Sequence, residues 1–214
     1  MNLSGGIIVA ANNTTIKNSK IMSGGYYAIK INDGATGTTI INNEIYTNGG
    51  GYIGISGANA IACGNYIHGW ENGMTVGGGM IIQANYIEKL LSDQVGAHYD
   101  GIEVYDGGNS KIWGNNIRMT DKNGAWLNET GAINLTAWHV PIDNVEMNGN
   151  WLGGGSYTLY VDEQGGYNAT NIKITNNRWL RSTYAYGTHL IRDASSVSTW
   201  SGNVFDDNSE VIPK

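Results

Sequence analysis

An asparagine set just ahead of an apolar residue comes round about every 26 positions. The series runs Asn43-Glu44-Ile45, Asn65-Tyr66-Ile67, Asn85-Tyr86-Ile87, Asn115-Asn116-Ile117, Asn150-Trp151-Leu152, Asn177-Arg178-Trp179 and Asn203-Val204-Phe205, with Ser19-Lys20-Ile21 in the first register. The successive gaps are 24, 22, 20, 30, 35, 27 and 26 residues. A period in this range marks stacked supersecondary units, each too small to bury its own apolar face. Asparagine is common in turns, but a fixed offset from an apolar residue across seven intervals is more than turn preference supplies.

The rest of each repeat reads as short strands. Runs with period-two alternation cover Thr14 to Ile21, Thr38 to Ile45, Ala60 to Ile67, Met80 to Ile87 and Ser110 to Ile117. Their inward column is Ile16, Ile40, Ala62, Ile82, Ile112, Met147 and Ile174. A second run in each repeat supplies a column of Ile29, Ile53, Met74, Ile102, Ile133 and Leu159, and another of Ile31, Ile55, Val76, Val104, Leu135 and Val161. In-register stacking of such runs gives parallel sheets with about 4.8 Å between coils, the rest of each coil being the connection. The asparagines then form an internal ladder at a bend, each amide bonded to the next coil. No six-residue period supports a left-handed hexapeptide solenoid. The expectation is an all-β, single-domain parallel β-helix over 1–214, of about eight coils from about 7 to 205, with a short polar tail at 206–214.

Composition agrees. The 32 glycines and 2 prolines, with abundant Asn and Thr, disfavour helices. A hydrophobic fraction of 41% excludes a disordered chain. A net charge of −6 argues against nucleic acid or an anionic membrane as main partner. With Cys63 alone, no intrachain disulfide or cysteine metal site forms. The N-terminal sequence lacks the basic region of a signal peptide, and Ile7 to Ala11 is too short to span a membrane.

The segments Asn65-Tyr66-Ile67-His68-Gly69, Ala97-His98-Tyr99-Asp100-Gly101-Ile102-Glu103, Gly149-Asn150-Trp151-Leu152-Gly153-Gly154-Gly155 and Trp200-Ser201-Gly202-Asn203-Val204-Phe205 resemble the right-handed parallel β-helix, pectate-lyase-like superfamily. More narrowly they resemble β-helix repeat proteins of actinobacteria and their phages. The resemblance implies a phage tail or tailspike component, located in a virion tail or extracellularly, homotrimeric or virion-bound. It departs from many such proteins in having few residues before its first strand, so the expectation is that another segment, subunit or virion protein caps the open end.

The outward positions define a lateral groove. One row reads Lys30, Gly54, Thr75, Glu103, Asn134 and Tyr160, and the next reads Asn32, Ser56, Gly77, Tyr105, Thr136 and Asp162. Ahead of the strand, Trp70, His98 and Glu129 stack, as do Asn72 and Asp100. The catalytic candidates are therefore His98, Asp100, Glu103 and Asp162. The candidate substrate-binding residues are Tyr52, Trp70, Tyr99, Tyr105, Glu129, Asn134 and Tyr160, since aromatics with a polar edge stack on sugars while hydrogen-bonding hydroxyls. Seven Trp and thirteen Tyr against one Phe fit a groove for a polysaccharide or cell-surface glycan.

Three functions compete. One is non-catalytic glycan binding, another a bare structural solenoid. The third is a polysaccharide lyase or an inverting hydrolase, with Glu103 and Asp162 two coils, or roughly 9.5 Å, apart. A lyase lacks a Lys or Arg in the middle groove and would need Ca²⁺ held by Asp100, Glu103 and Asp162; otherwise no cofactor is expected. Asp100 before Gly101 also suits a tight turn. His68, His139 and His189 read as surface or packing residues.

Overall fold

The computed structural model describes residues 1–91 and 96–214. Apart from one 3-10 turn at Ala194–Ser196, the regular structure among the described residues is all strand, and the strands of the sheets pair parallel. Each coil passes through three faces. Face 1 is an eight-stranded sheet in simple chain order, from Thr15–Lys17 through Ile81–Gln83 to Val197–Ser201. Its inward column is Ile16, Ile40, Ala62, Ile82, Ile112, Met147 and Ile174, as the alternation requires, and it ends on Trp200. Face 2 stacks Ile21, Ile45, Ile67, Ile87, Ile117, Leu152, Trp179 and Phe205. Face 3 carries the groove. Faces 2 and 3 merge into one sheet because Glu44–Gly57 and Tyr66–Val76 run unbroken round the bend between them.

The corner between faces 1 and 2 is built from two residues. The first takes a left-handed conformation: Asn18, Asn42, Gly64, Ala84, Gly114, Gly149, Asn176 and Gly202 all have positive φ. The second is the ladder residue. Asn115 shows the arrangement in full. Its amide nitrogen donates to the Ile82 carbonyl at 2.9 Å and to Asn150 Oδ1 at 3.0 Å. Its own Oδ1 accepts from the backbone and side-chain nitrogens of Asn85, both at 3.0 Å. The same pattern runs from Asn43 to Asn203. All these amides are buried, and buried amides must be bonded or they cost stability.

One expectation is corrected. On face 3 the coil of residues 44–57 is displaced by two positions: Ile55, not Ile53, lies between Ile29 and Met74, and Gly57 lies beside Val76. The cause is the bend. Thr47-Asn48-Gly49-Gly50-Gly51 inserts extra residues there, with Gly49 and Gly50 at positive φ, and the pairing slips between Tyr46 and Gly51. The outward row is therefore Lys30, Ser56, Thr75, Glu103, Asn134 and Tyr160.

The short polar segment at the C-terminus folds back onto the last coil. Its chain turns back so that Phe205 N–H donates to Glu210 O and Ile212 N–H to Asn203 O, both at 2.9 Å. The second bond satisfies the backbone carbonyl of the last ladder asparagine. Ile212 is buried and its carbonyl accepts from Trp200 Nε1 at 2.8 Å. Arg181 lies over the Phe205 ring and pairs with Asp207 and Glu210.

Replacing Asn115 by Ala leaves several buried groups without partners, at about 1–3 kcal/mol each. Denaturant unfolding should show a loss of roughly 3 kcal/mol or more. Ala84 carries a Cβ in the left-handed region, which costs about 1–2 kcal/mol. Ala84→Gly should therefore raise stability, by about 1 kcal/mol after the entropy of glycine in the unfolded chain is counted.

Candidate functional site

Among the described residues, three adjoining clefts run along face 3. The first, of about 420 Å³, is lined by Tyr26, Tyr52 and Glu71 over a glycine floor. The second, of about 460 Å³, shares Tyr26 and Tyr52 and adds Glu103, Tyr105, Trp138 and His139. The third, of about 490 Å³, shares Thr136 with the second and holds His98, Glu129, Asn134, Tyr160 and Asp162. They form one groove crossing the coils, and no Lys or Arg lines it.

The groove floor is acidic. Asp100, at 3% exposure, lies at the register of Asn72 on one side and Gly131 on the other, and its N–H donates to Asn72 Oδ1 at 3.0 Å. A side chain at Gly131 would find no room, since its Cβ would lie 2.8 Å from the Tyr157 carbonyl and 3.0 Å from the Tyr160 ring edge. Burial, and then the charge of Glu103, push the Asp100 carboxyl well above the ordinary range, against the pull of the Gly131 N–H and the Asn134 amide. One Asp100 oxygen, Oδ1, is buried without a hydrogen-bond partner. Burial also raises Glu103, although the Thr75 hydroxyl and His98 oppose it. Glu71, likewise 3% exposed, accepts from the His98 N–H at 3.2 Å. The phenols of Tyr52, Tyr105 and Tyr160 are pushed up, chiefly by burial, so they remain hydrogen-bond donors at neutral pH.

The structure places the sequence candidates unevenly. Tyr52, Glu103, Tyr105, His98, Glu129, Asn134 and Tyr160 all line the clefts, with Asp100 beneath them. Trp70 does not: it is fully buried, with Nε1 directed to the Ile45 carbonyl at 3.4 Å. The backbone turns at Gly69, whose φ is +78°, and a side chain at Gly51 would collide with the indole. Strict alternation fails at this bend, so the indole fills core space and the neighbouring Glu71 reaches the groove. Tyr99 packs against the core instead of lining a cleft. Asp162 lines the third cleft but is held by Arg192, through Nε on Oδ1 and Nη2 on Oδ2 at 3.1 Å. Burial pushes Asp162 up, but Arg192 and Gln164 outweigh it and hold the carboxyl below its usual range. It also lies two positions along from the residue facing Glu103's column, about 12 Å away between Cα atoms rather than 9.5 Å. Both carboxylate oxygens of Asp162 are thus engaged by Arg192.

Tyr26, Glu71 and Trp138 went unread in the sequence, and His139 was read as a surface or packing residue. The bend obscured Glu71, and loops outside the period supply the others. His139 is paired with Asp106 at 3.4 Å and meets Tyr105 edge to face. His189 closes the Leu159 column and packs on Trp200, and His68 stacks on Tyr66 with Nε2 3.2 Å from Glu44. Among the described residues no three His, Cys, Asp or Glu side chains converge to hold a metal ion, so Asp100, Glu103 and Asp162 do not fit the calcium site a lyase would need.

Parallel coils, an inner asparagine ladder and a lateral groove define the class of protein. The chain belongs to the family described as right handed beta helix region, which matches residues 5–212. No curated protein matches it. Among solved structures the Agl-KA catalytic domain is similar, at 16% identity and a TM-score of 0.52, over 94% of this chain and 44% of that one. That likeness shows the fold alone, and this chain spans under half of that domain's length. QnrB1, a plasmid-mediated fluoroquinolone resistance protein, aligns over 97% of this chain and 92% of that one at 13% identity, but a TM-score of 0.24 carries no argument.

A carboxyl raised in the folded state binds protons the unfolded chain has already released. Stability is then lost as pH rises from the unfolded value near 4 through the folded one. Asp100→Asn removes that loss. Its melting temperature should exceed the parent's at pH 7.5 and converge on it near pH 4; the reverse trend would show that Asp100 is stabilised as a carboxylate.

Proposed function

We propose that the chain binds an extended glycan along the face 3 groove. One observation carries this: three adjoining clefts cross successive coils and present Tyr26, Tyr52, Tyr105, Trp138 and Tyr160 among hydrogen-bonding side chains. An aromatic with a polar edge stacks on a sugar face and still serves a hydroxyl. Repetition at the coil spacing suits a ligand that is itself a repeat. A phage tail or spike binding host polysaccharide is the setting implied by the sequence resemblance, and we carry it as part of this proposal.

A second reading, hydrolysis, is favoured by the raised carboxyls of Glu103 and Asp100. A carboxyl whose pKa is pushed up by burial is better suited than an ordinary one to donate a proton to a leaving glycosidic oxygen. Elimination finds no support in the groove lining, because it needs a cation to neutralise a uronate carboxylate.

A glycan array followed by titration tests the first reading. Tyr52→Ala and Tyr105→Ala should each weaken binding several-fold while leaving the melting temperature within a few degrees. Retained affinity in both would move the site elsewhere. New reducing ends, abolished in Glu103→Gln, would establish hydrolysis; binding without product would leave a recognition module.

A further inference from the structure

Asparagine is followed directly by glycine at Asn48, Asn72, Asn123 and Asn148. The pair has a chemistry of its own. The backbone nitrogen after an asparagine can attack the side-chain amide carbon, and a glycine there carries no side chain to obstruct the approach. Asparagine counts among the thermolabile residues. In a folded chain the attack needs an accessible amide, a nitrogen not tied into a backbone bond, and room for the chain to bend into a ring. The four sites differ in these respects.

Three of them are held. Asn72 is 3% exposed in the groove strand, and its Oδ1 accepts the Asp100 N–H at 3.0 Å. Asn148 Oδ1 accepts from the Thr175 hydroxyl at 3.1 Å and the Asn176 amide at 2.9 Å, and the Gly149 N–H donates to the Thr175 carbonyl at 3.1 Å. Asn123 is exposed, but the Gly124 N–H closes a turn onto the Asp121 carbonyl at 3.0 Å. The Asp121 carboxylate also accepts from the Asn123 backbone N–H at 2.8 Å and from its side-chain amide at 3.4 Å. Asn48 is different. It is exposed, at the bend where pairing with the next coil skips from Tyr46 to Gly51. Gly49 and Gly50 follow it at φ +132° and +76°. The Gly49 N–H donates to the Thr47 hydroxyl at 3.3 Å, a side-chain contact inside the bend and no ladder bond. The Asn48 amide nitrogen meets Met22 Sδ at 3.6 Å, and a thioether is a weak acceptor.

We propose that Asn48 is a site of spontaneous deamidation, selected from the four by the open bend at Thr47 to Gly51. The Gly49 nitrogen bonds to the Asn48 side-chain carbon, and the amide group leaves as ammonia, taking the Gly49 proton with it. Water then opens the cyclic imide at either carbonyl, giving aspartate or isoaspartate. Both products place a carboxylate beside Gly50 and Gly51, which line the first cleft, so the ageing protein gains negative charge at one end of the groove. Isoaspartate also adds a methylene to the main chain, at a bend that already carries extra residues.

The whole chain, folded and in urea, is incubated in warm, mildly alkaline buffer and its digest mapped by mass spectrometry. In urea the four sites should convert at similar rates, since only local sequence acts there. In the folded chain Asn48 should convert, with the other three about tenfold or more slower, because each must first open local structure. Isoaspartate should accompany aspartate in the Asn48 peptide, as the imide requires. Asn48→Gln sets the side-chain carbon one bond further from the nitrogen. It should abolish conversion there and leave the melting temperature within a few degrees. Asn48 intact in the folded chain overturns the proposal, as does any of the other three keeping pace with it. Asn48 leading by the same margin in urea assigns the selection to sequence and overturns the role of the bend. Aspartate without isoaspartate means direct hydrolysis and overturns the imide route.

Discussion

The asparagine amide at the corner is the interaction on which the rest of the molecule depends. It has two donors and an oxygen with two acceptor sites, and in each inner rung all of them are used, upward and downward along the stack. The rung locks one coil to the next at a defined position. Every face downstream then inherits its register from that position. A residue with fewer bonding sites would leave buried backbone groups unanswered. A residue without left-handed tolerance ahead of it makes the corner only at a cost in strain, and Ala84 is the one place in the series where an ordinary side chain holds that conformation.

Registration across coils is what makes a groove possible. Its stacked residues come from coils some twenty to thirty positions apart and meet only because the strands stack. The rigid stack also tolerates what a looser fold would not. Asp100 is buried with an oxygen unsatisfied, beside Glu103, in a strand tied on both sides to neighbours. Local instability of this kind persists only where the surroundings over-determine the geometry, and it clusters at sites that bind or react. Asp162, in the same groove, is paired with Arg192 and satisfied.

The ends of the solenoid are treated differently from its middle. At the C-terminal end the segment read as a polar tail supplies a bond to the last ladder asparagine and a buried isoleucine under Trp200. At the other end Leu3, Ile7 and Ile16 are only partly covered. A stack has strand edges at its ends whatever its length, and side chains or returning backbone must answer them.

The sequence by itself determined the coil. A ladder residue at a fixed offset and a two-residue alternation are local signals, and inside straight strands they predict correctly which side chain enters the core: Ile82, Ile112 and Ile102 all do. That was enough for the face 3 strand and for most of its groove residues. What the tertiary structure decided lies at the bends and beyond the period. Alternation does not survive a turn, so Trp70 went inward and Glu71 came to the groove. The number of residues in a bend is not fixed by pattern, so the 44–57 coil slipped by two. Pairings such as Asp162 with Arg192 join a periodic position to a loop one, and only packing brings them together. Periodicity repeats a strand's environment along the chain; it carries no information about where the chain changes direction.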